Sequence, residues 1–225
     1  MGNKIFHPED ILRQCRTLLN KDLEMYQPYA NNGNRQYKRL LPLFVSIYSP
    51  KDEIELQHHL HYAKNKLRTE GYHITEIKLF QSCLEILENE VPIEDIIEFE
   101  RESLVKKNSP KKSGRSNKEY VQYHKNDFLD WISGVLCAEN MVSKIESVVE
   151  VYKEETDLFV LSELNFCHPF VSPPHLFRQI DVLSQKHPTL LLFPGKEDIY
   201  SSMQNLSFLG LEGTREYKNY KIIGL

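Results

Sequence analysis

Three places in this 225-residue chain hold side chains of the types that do chemistry. His58, His59 and His61 form the densest histidine cluster. On a helix, His58 and His61 stand three apart on one face, the spacing of a transition-metal pair. Neither a His-Glu-x-x-His arrangement nor an evident third ligand accompanies them, so a solvated helix face is expected. Cys167 and His168 offer a thiol and a base. Chain neighbours rarely face each other, and thiol activation needs spatial approach, so a partly buried cysteine is the expectation. Ser162 lies in Leu161-Ser162-Glu163-Leu164 rather than in a Gly-x-Ser-x-Gly elbow, which leaves a hydrolase nucleophile unsupported.

Phosphate chemistry lacks its cradle. Leu161-Ser162-Glu163 superficially matches a Walker B segment, but no Gly-x-x-x-x-Gly-Lys-[Ser/Thr] accompanies it. The apolar run Leu43 to Tyr48 passes directly into Ser49-Pro50-Lys51-Asp52, without glycines that would let backbone amides wrap a phosphate. A dinucleotide Gly-x-Gly-x-x-Gly is also missing. The residues therefore predict no catalytic group, no cofactor and no metal.

Two charged segments could recognise a partner. Lys106 to Lys118 carries Lys106, Lys107, Lys111, Lys112, Arg115 and Lys118 with no acid among them, and could contact a phosphate backbone. Aromatics do not interleave until Tyr120 and Tyr123, so base stacking is not signalled. The Ser, Pro, Gly and Asn content predicts a mobile, solvated loop. Glu85 to Glu102 is acidic, with Ile93, Ile96, Ile97 and Phe99 interleaved; Glu94, Asp95 and Glu98 are its candidates for docking a basic partner.

The elements that must position these groups read as α/β. His7-Pro8-Glu9-Asp10 starts a helix whose Ile11, Leu12, Cys15, Leu18, Leu19 and Leu23 repeat at helical spacing. Asn31-Asn32-Gly33-Asn34 is a linker. Leu43 to Tyr48 is a strand, and Ser49 with Asp52 reads as a capping box with Pro50 at the first helical position. That helix should reach about Glu70 and stop at Gly71, before a strand over Ile74 to Phe80.

Residues 81–152 read as a helical insertion, ending in one long helix with Tyr120, Phe128, Trp131, Ile132, Val135, Met141, Ile145 and Val148 or Val149 as its apolar face. A buried strand then starts at Leu158. Ser172-Pro173 starts a crossover helix with Leu176, Phe177, Ile180 and Leu183 inward. Leu190 to Phe193 is a fourth strand ending in a Pro194-Gly195 turn, and Tyr220 to Gly224 a fifth. The expected fold is a mainly parallel sheet with helices on both faces. Residues 1–40 form an N-terminal helix and linker, and 41–225 the α/β domain.

In such sheets ligands bind beyond the C-terminal strand ends. Lys51, Asn165, His168 and Lys196 sit at those ends and are not explained by caps or turns. Length allows one sizeable core, and 40% hydrophobic with 27% charged residues is ordinary for a soluble globular protein. A net charge of −4 argues against a surface devoted to nucleic acid. The four cysteines, Cys15, Cys83, Cys137 and Cys167, have no Cys-x-x-Cys pairing, which predicts reduced thiols and a cytoplasmic protein. No leader or membrane span is expected.

The wording of the strands resembles the BrxB family of the bacteriophage-exclusion (BREX) defence systems. The resemblance rests on Phe44 to Glu53, Leu158 to Phe170, Leu191-Leu192-Phe193-Pro194-Gly195-Lys196, then Leu206-Ser207-Phe208-Leu209-Gly210 and Tyr217-Lys218-Asn219-Tyr220-Lys221. It covers residues 40–225, with Glu163 and Asn165 where glycines are expected. It implies a degenerate P-loop NTPase-like domain without working phosphate-binding motifs. It further implies a non-enzymatic adaptor in host DNA marking and phage exclusion, whose partner is PglZ, the alkaline-phosphatase-like member of these systems. A degenerate nucleotide-binding domain, or a DNA-contacting accessory using loop 106–118, are the competing expectations.

Overall fold

The structure, a computed structural model, describes residues 7–19, 43–92, 94–98, 101–102, 130–171, 176–177, 180, 187–198, 205–209, 215–216 and 220–222. Its regular elements are α1 (Pro8–Leu19), β1 (Leu43–Tyr48), α2 (Glu53–Thr69), β2 (Ile74–Lys78), α3 (Leu79–Glu90), α4 (Ala138–Tyr152), β3 (Leu158–Ser162), β4 (Thr189–Asp198), β5 (Asn205–Phe208), β6 (Arg215–Glu216) and β7 (Tyr220–Ile222). Five strands form a parallel sheet in the order β2-β3-β4-β1-β7, and β5 and β6 extend it antiparallel from β4. None of the described helices is long and apolar enough to cross a membrane.

Alternation along the strands separates two cores. Phe44, Leu158, Val160, Leu190 and Leu192 face α1 and α2, where Ile11, Leu12, Leu56, Leu60 and Leu67 meet them. Leu43, Val45, Ile77, Phe159, Leu161, Leu191 and Phe193 face α3, α4 and the helical residues Leu176, Phe177 and Ile180. Helices thus cover both faces, as the near-continuous apolar runs of β3 and β4 require. The thiols of Cys15, Cys83 and Cys167 are buried in these cores, and all four cysteines are free. Burial pushes the Cys15 thiol up to about 12, so it is an inert packing group.

The ends of α2 follow local chemistry. Gly71 takes φ +90, and the Tyr72 amide reaches back to the Leu67 carbonyl at 3.0 Å, closing the helix where a residue with a Cβ would be strained. At the other end the capping box does not form. Ser49 makes no side-chain cap; its carbonyl instead accepts the Asp52 amide at 2.9 Å across a single 3-10 turn, Pro50–Asp52, and α2 begins one residue later.

Three further expectations are corrected. β2 ends at Lys78, not Phe80, because α3 starts at Leu79 and draws that side chain into the core at 0% exposure. The long helix after the basic segment is broken: residues 130–135 are helical, Leu136 turns, Cys137 is extended, and α4 begins at Ala138. Asn140 Nδ2 donates to the Val135 carbonyl at 2.8 Å, capping the first piece, and the break lets Ile132 and Leu136 join Met141 and Ile145 in one cluster. Tyr120, Phe128, Ser172, Pro173 and Leu183 lie outside the described residues.

Pro194-Gly195 makes no turn. Pro194 lies opposite Tyr48, the last residue of β1, and β4 then continues to Asp198 by pairing Gly195–Asp198 with β5. A proline is tolerated there because the partner strand β1 is ending, and its carbonyl still accepts the Leu209 amide at 2.9 Å.

Candidate functional site

The C-terminal strand ends form the rim expected to bind a ligand, and the chain's own groups occupy its strongest anion position. The first turn of a helix favours a negative charge. On α2 that place belongs to Glu53, which is 5% exposed. Its carboxylate accepts the Tyr48 hydroxyl and, at 2.9 Å, Gln57 Nε2. Burial, then the hydrogen bond to Glu53, holds the Tyr48 phenol protonated well above the usual tyrosine range.

Replacing Tyr48 with phenylalanine is expected to cost about 1–3 kcal/mol, since it strips a buried carboxylate of a donor. Because the folded phenol titrates higher than the unfolded one, its contribution is complete below about pH 10 and lost as pH rises further. Urea unfolding of both proteins at pH 7 and above pH 10 checks this; the variant should lack the alkaline loss that Tyr48 causes.

The acids next to the supposed Walker B position are also engaged. Ser162 Oγ donates to Glu76 Oε1 at 2.7 Å, and Lys64 Nζ meets Glu76 Oε2 at 2.7 Å. Glu163 pairs with Lys78 at 2.9 Å, and this hydrogen bond raises the Lys78 pKa. Glu163 takes φ +63 and ψ 26, the left-handed conformation that favours glycine. This turn leads β3 directly into the 3-10 segment Leu164–Cys167.

Among the predicted rim residues, Lys51 is exposed and makes no ion pair among the described residues. Asn165 is half-buried, and its Oδ1 has no hydrogen-bond partner among them. His168 is exposed, follows the 3-10 segment, and sets its ring 5.9 Å from that of Phe208. Lys196 is exposed but lies two residues beyond Pro194, on the arm that β4 extends past β1. Glu94, Asp95 and Glu98 are exposed on the helical residues 94–98. Lys106, Lys107, Lys111, Lys112, Arg115 and Lys118 lie outside the described residues.

The thiol of Cys167 does not face His168. It is 1% exposed and lies 3.6 Å from Cys83 Sγ, and that contact together with burial raises its pKa. His58 and His61 are exposed on α2, His61 sharing a 2.9 Å contact with Asn65, while His59 is buried on the core side. No group of three or more His, Cys, Asp or Glu among the described residues could hold a metal ion.

Beside the rim lies a feature that the sequence reading missed. Phe80 and Leu84 of α3 are 38% and 39% exposed, and Phe166 of the 3-10 segment is 49% exposed. The rings of Phe80 and Phe166 meet at 5.7 Å. Helical spacing puts Phe80 and Leu84 on one face, but only the fold brings Phe166 to them.

The exposed side chains of this region thus include two cations, Lys51 and Lys196, and an aromatic cluster. No curated protein and no solved structure matches the chain. The family described as BREX protein BrxB matches residues 75–222, from β2 through β7. The chain therefore belongs to the BrxB family.

Proposed function

We propose that this protein is a non-enzymatic adaptor of a BREX phage-defence system that binds PglZ to support host DNA marking and phage exclusion. The observation that carries this reading is the family match across residues 75–222. The interior of the rim supports it: Glu53, Glu76 and Glu163 are tied to Tyr48, Lys64 and Lys78, so groups that could serve a nucleotide serve the fold instead. Lys51, Asn165, His168 and Lys196, together with Phe80, Leu84 and Phe166, form the proposed contact face. Glu94, Asp95 and Glu98 form a second face for basic groups of the assembly. Charge at the contact face makes the PglZ association salt-sensitive.

An adaptor of this kind is expected to turn over neither ATP nor GTP above background, since no group among the described residues of the rim cradles a phosphate with its magnesium ion. A phosphate-release assay checks this, and turnover that disappears in Lys51→Ala or Glu163→Ala would contradict it. A tagged copy expressed with its gene cluster should bring down PglZ after nuclease treatment. Recovery of DNA fragments without PglZ would move the function to loop 106–118.

A further inference from the structure

The outer edge of the sheet carries a second recognition element. β2 is an edge strand, paired among the described residues with β3 alone. His73 turns its carbonyl and its amide toward Asp157, the residue leading into β3. Both groups of a strand residue point the same way and alternate along the chain. Thr75 and Ile77 therefore face β3, and the N–H and C=O of Ile74 and Glu76 point outward, while the Lys78 carbonyl accepts the Ser82 hydroxyl at 3.1 Å as α3 begins. The outward groups of Ile74 and Glu76 have no strand partner among the described residues, and such a row is a template for another strand.

At the start of that edge lies a cavity of about 140 Å³ lined by Lys64, Arg68, Tyr72, His73, Ile74, Thr75, Tyr152, Glu155 and Thr156. Ile74 packs with the core under α2, whereas Thr75 turns to the opposite face, where its hydroxyl meets that of Thr156 at 2.7 Å. The cavity thus straddles the edge. Lys64 is engaged by Glu76, and Glu155 is the acid of the lining, but Arg68 is exposed and makes no ion pair among the described residues. Tyr72 and Tyr152 share the lining with this cation. The far end of β2 runs into Lys78 and Phe80, so the edge joins the cavity to the aromatic cluster at the rim.

We infer that β2 accepts an extended segment of the partner protein as an added strand, with a carboxylate side chain of that segment seated in the cavity against Arg68. Five residues at about 3.3 Å each span roughly 16 Å, the length of β2 from the cavity at Ile74 to Lys78. Main-chain pairing supplies the affinity and the cavity the register. The space suits one acidic side chain rather than a nucleotide, and Glu155 disfavours a polyanion. This inference rests on the adaptor reading, because the segment belongs to the protein that the rim binds.

The test uses the full chain and PglZ of its own system, with binding measured by titration and backbone amides followed by hydrogen exchange. In the complex, exchange at Ile74 and Glu76 should slow at least tenfold. Arg68→Glu should weaken binding at least tenfold, and Arg68→Lys should retain most of it. If the complex forms, the Ile74 and Glu76 amides exchange as before and Arg68→Glu binds like the wild type, the edge site is wrong and the adaptor reading stands. Slowed exchange with no effect of Arg68→Glu overturns the carboxylate assignment, and an effect of Arg68→Glu without slowed exchange overturns the added strand. Binding that nuclease treatment abolishes assigns the cavity to nucleic acid instead. Failure of the wild-type chain to bind PglZ at all overturns the adaptor reading, and this inference with it.

Discussion

Replacing Phe193 with alanine is expected to lower the free energy of unfolding by about 3–5 kcal/mol. Phe193 is fully buried on β4, the strand that pairs with both β1 and β3. Its ring makes edge contacts with Phe177 and Phe208, each at 5.7 Å, so one truncation opens a void between the sheet, the helical residue Phe177 and the arm that β5 forms with β4. Domains of this size are stable by only about 5–15 kcal/mol, so the loss removes a large share of the margin. Urea denaturation measures it. Ile54→Ala, at a position 75% exposed, is the control and should change stability by no more than about 0.5 kcal/mol.

Phe166→Asp is expected to weaken PglZ binding about 100-fold while leaving stability nearly unchanged. That loss is roughly 2.7 kcal/mol, the scale of an aromatic anchor at the centre of an interface. Phe166 is half-exposed against Phe80, so a carboxylate there costs little in the free protein but would be desolvated in the complex. Titration of the two proteins checks the affinity and thermal unfolding checks the fold. Charge reversal separates the faces. Lys196→Glu should cost about tenfold if the arm joins the contact, whereas reversal of Glu94, Asp95 and Glu98 together should stay within about threefold. The opposite ranking would place the interface on residues 94–98.

Much of the frame was legible because it is locally encoded. Pro8 opens α1, Pro50 opens the turn into α2, and Gly71 closes α2, each because of its own backbone preference. The apolar runs of β1 and β3 could only be strands buried on both faces. What failed was set by distant partners. Pro194-Gly195 carries every local sign of a turn, yet β5 supplies a ladder that keeps β4 extended. Apolar spacing runs across Leu136 and Cys137 without interruption because both helical pieces pack on one core, so the break between them leaves no trace in the period.

The place of the candidate rim in the fold was legible in part for the same reason. The rim follows from strand order, and Lys51, Asn165 and His168 lie on it. Spacing could not show that Tyr48 and Glu53 fill the first turn of α2, or that Phe80 meets Phe166 across 86 positions of chain. Glu163 was notable by its type, standing where glycine is expected, and its left-handed backbone gives that departure a physical meaning.

The central claim is direct association with PglZ. Purified chain titrated with purified PglZ from the same system, both nuclease-treated and without DNA, tests it by calorimetry at physiological salt and again at high salt. The account predicts saturable binding at micromolar or lower concentration that weakens as salt screens the cations of the contact face. No association at micromolar concentrations, from a chain that at the same salt shifts DNA in a gel, would contradict it.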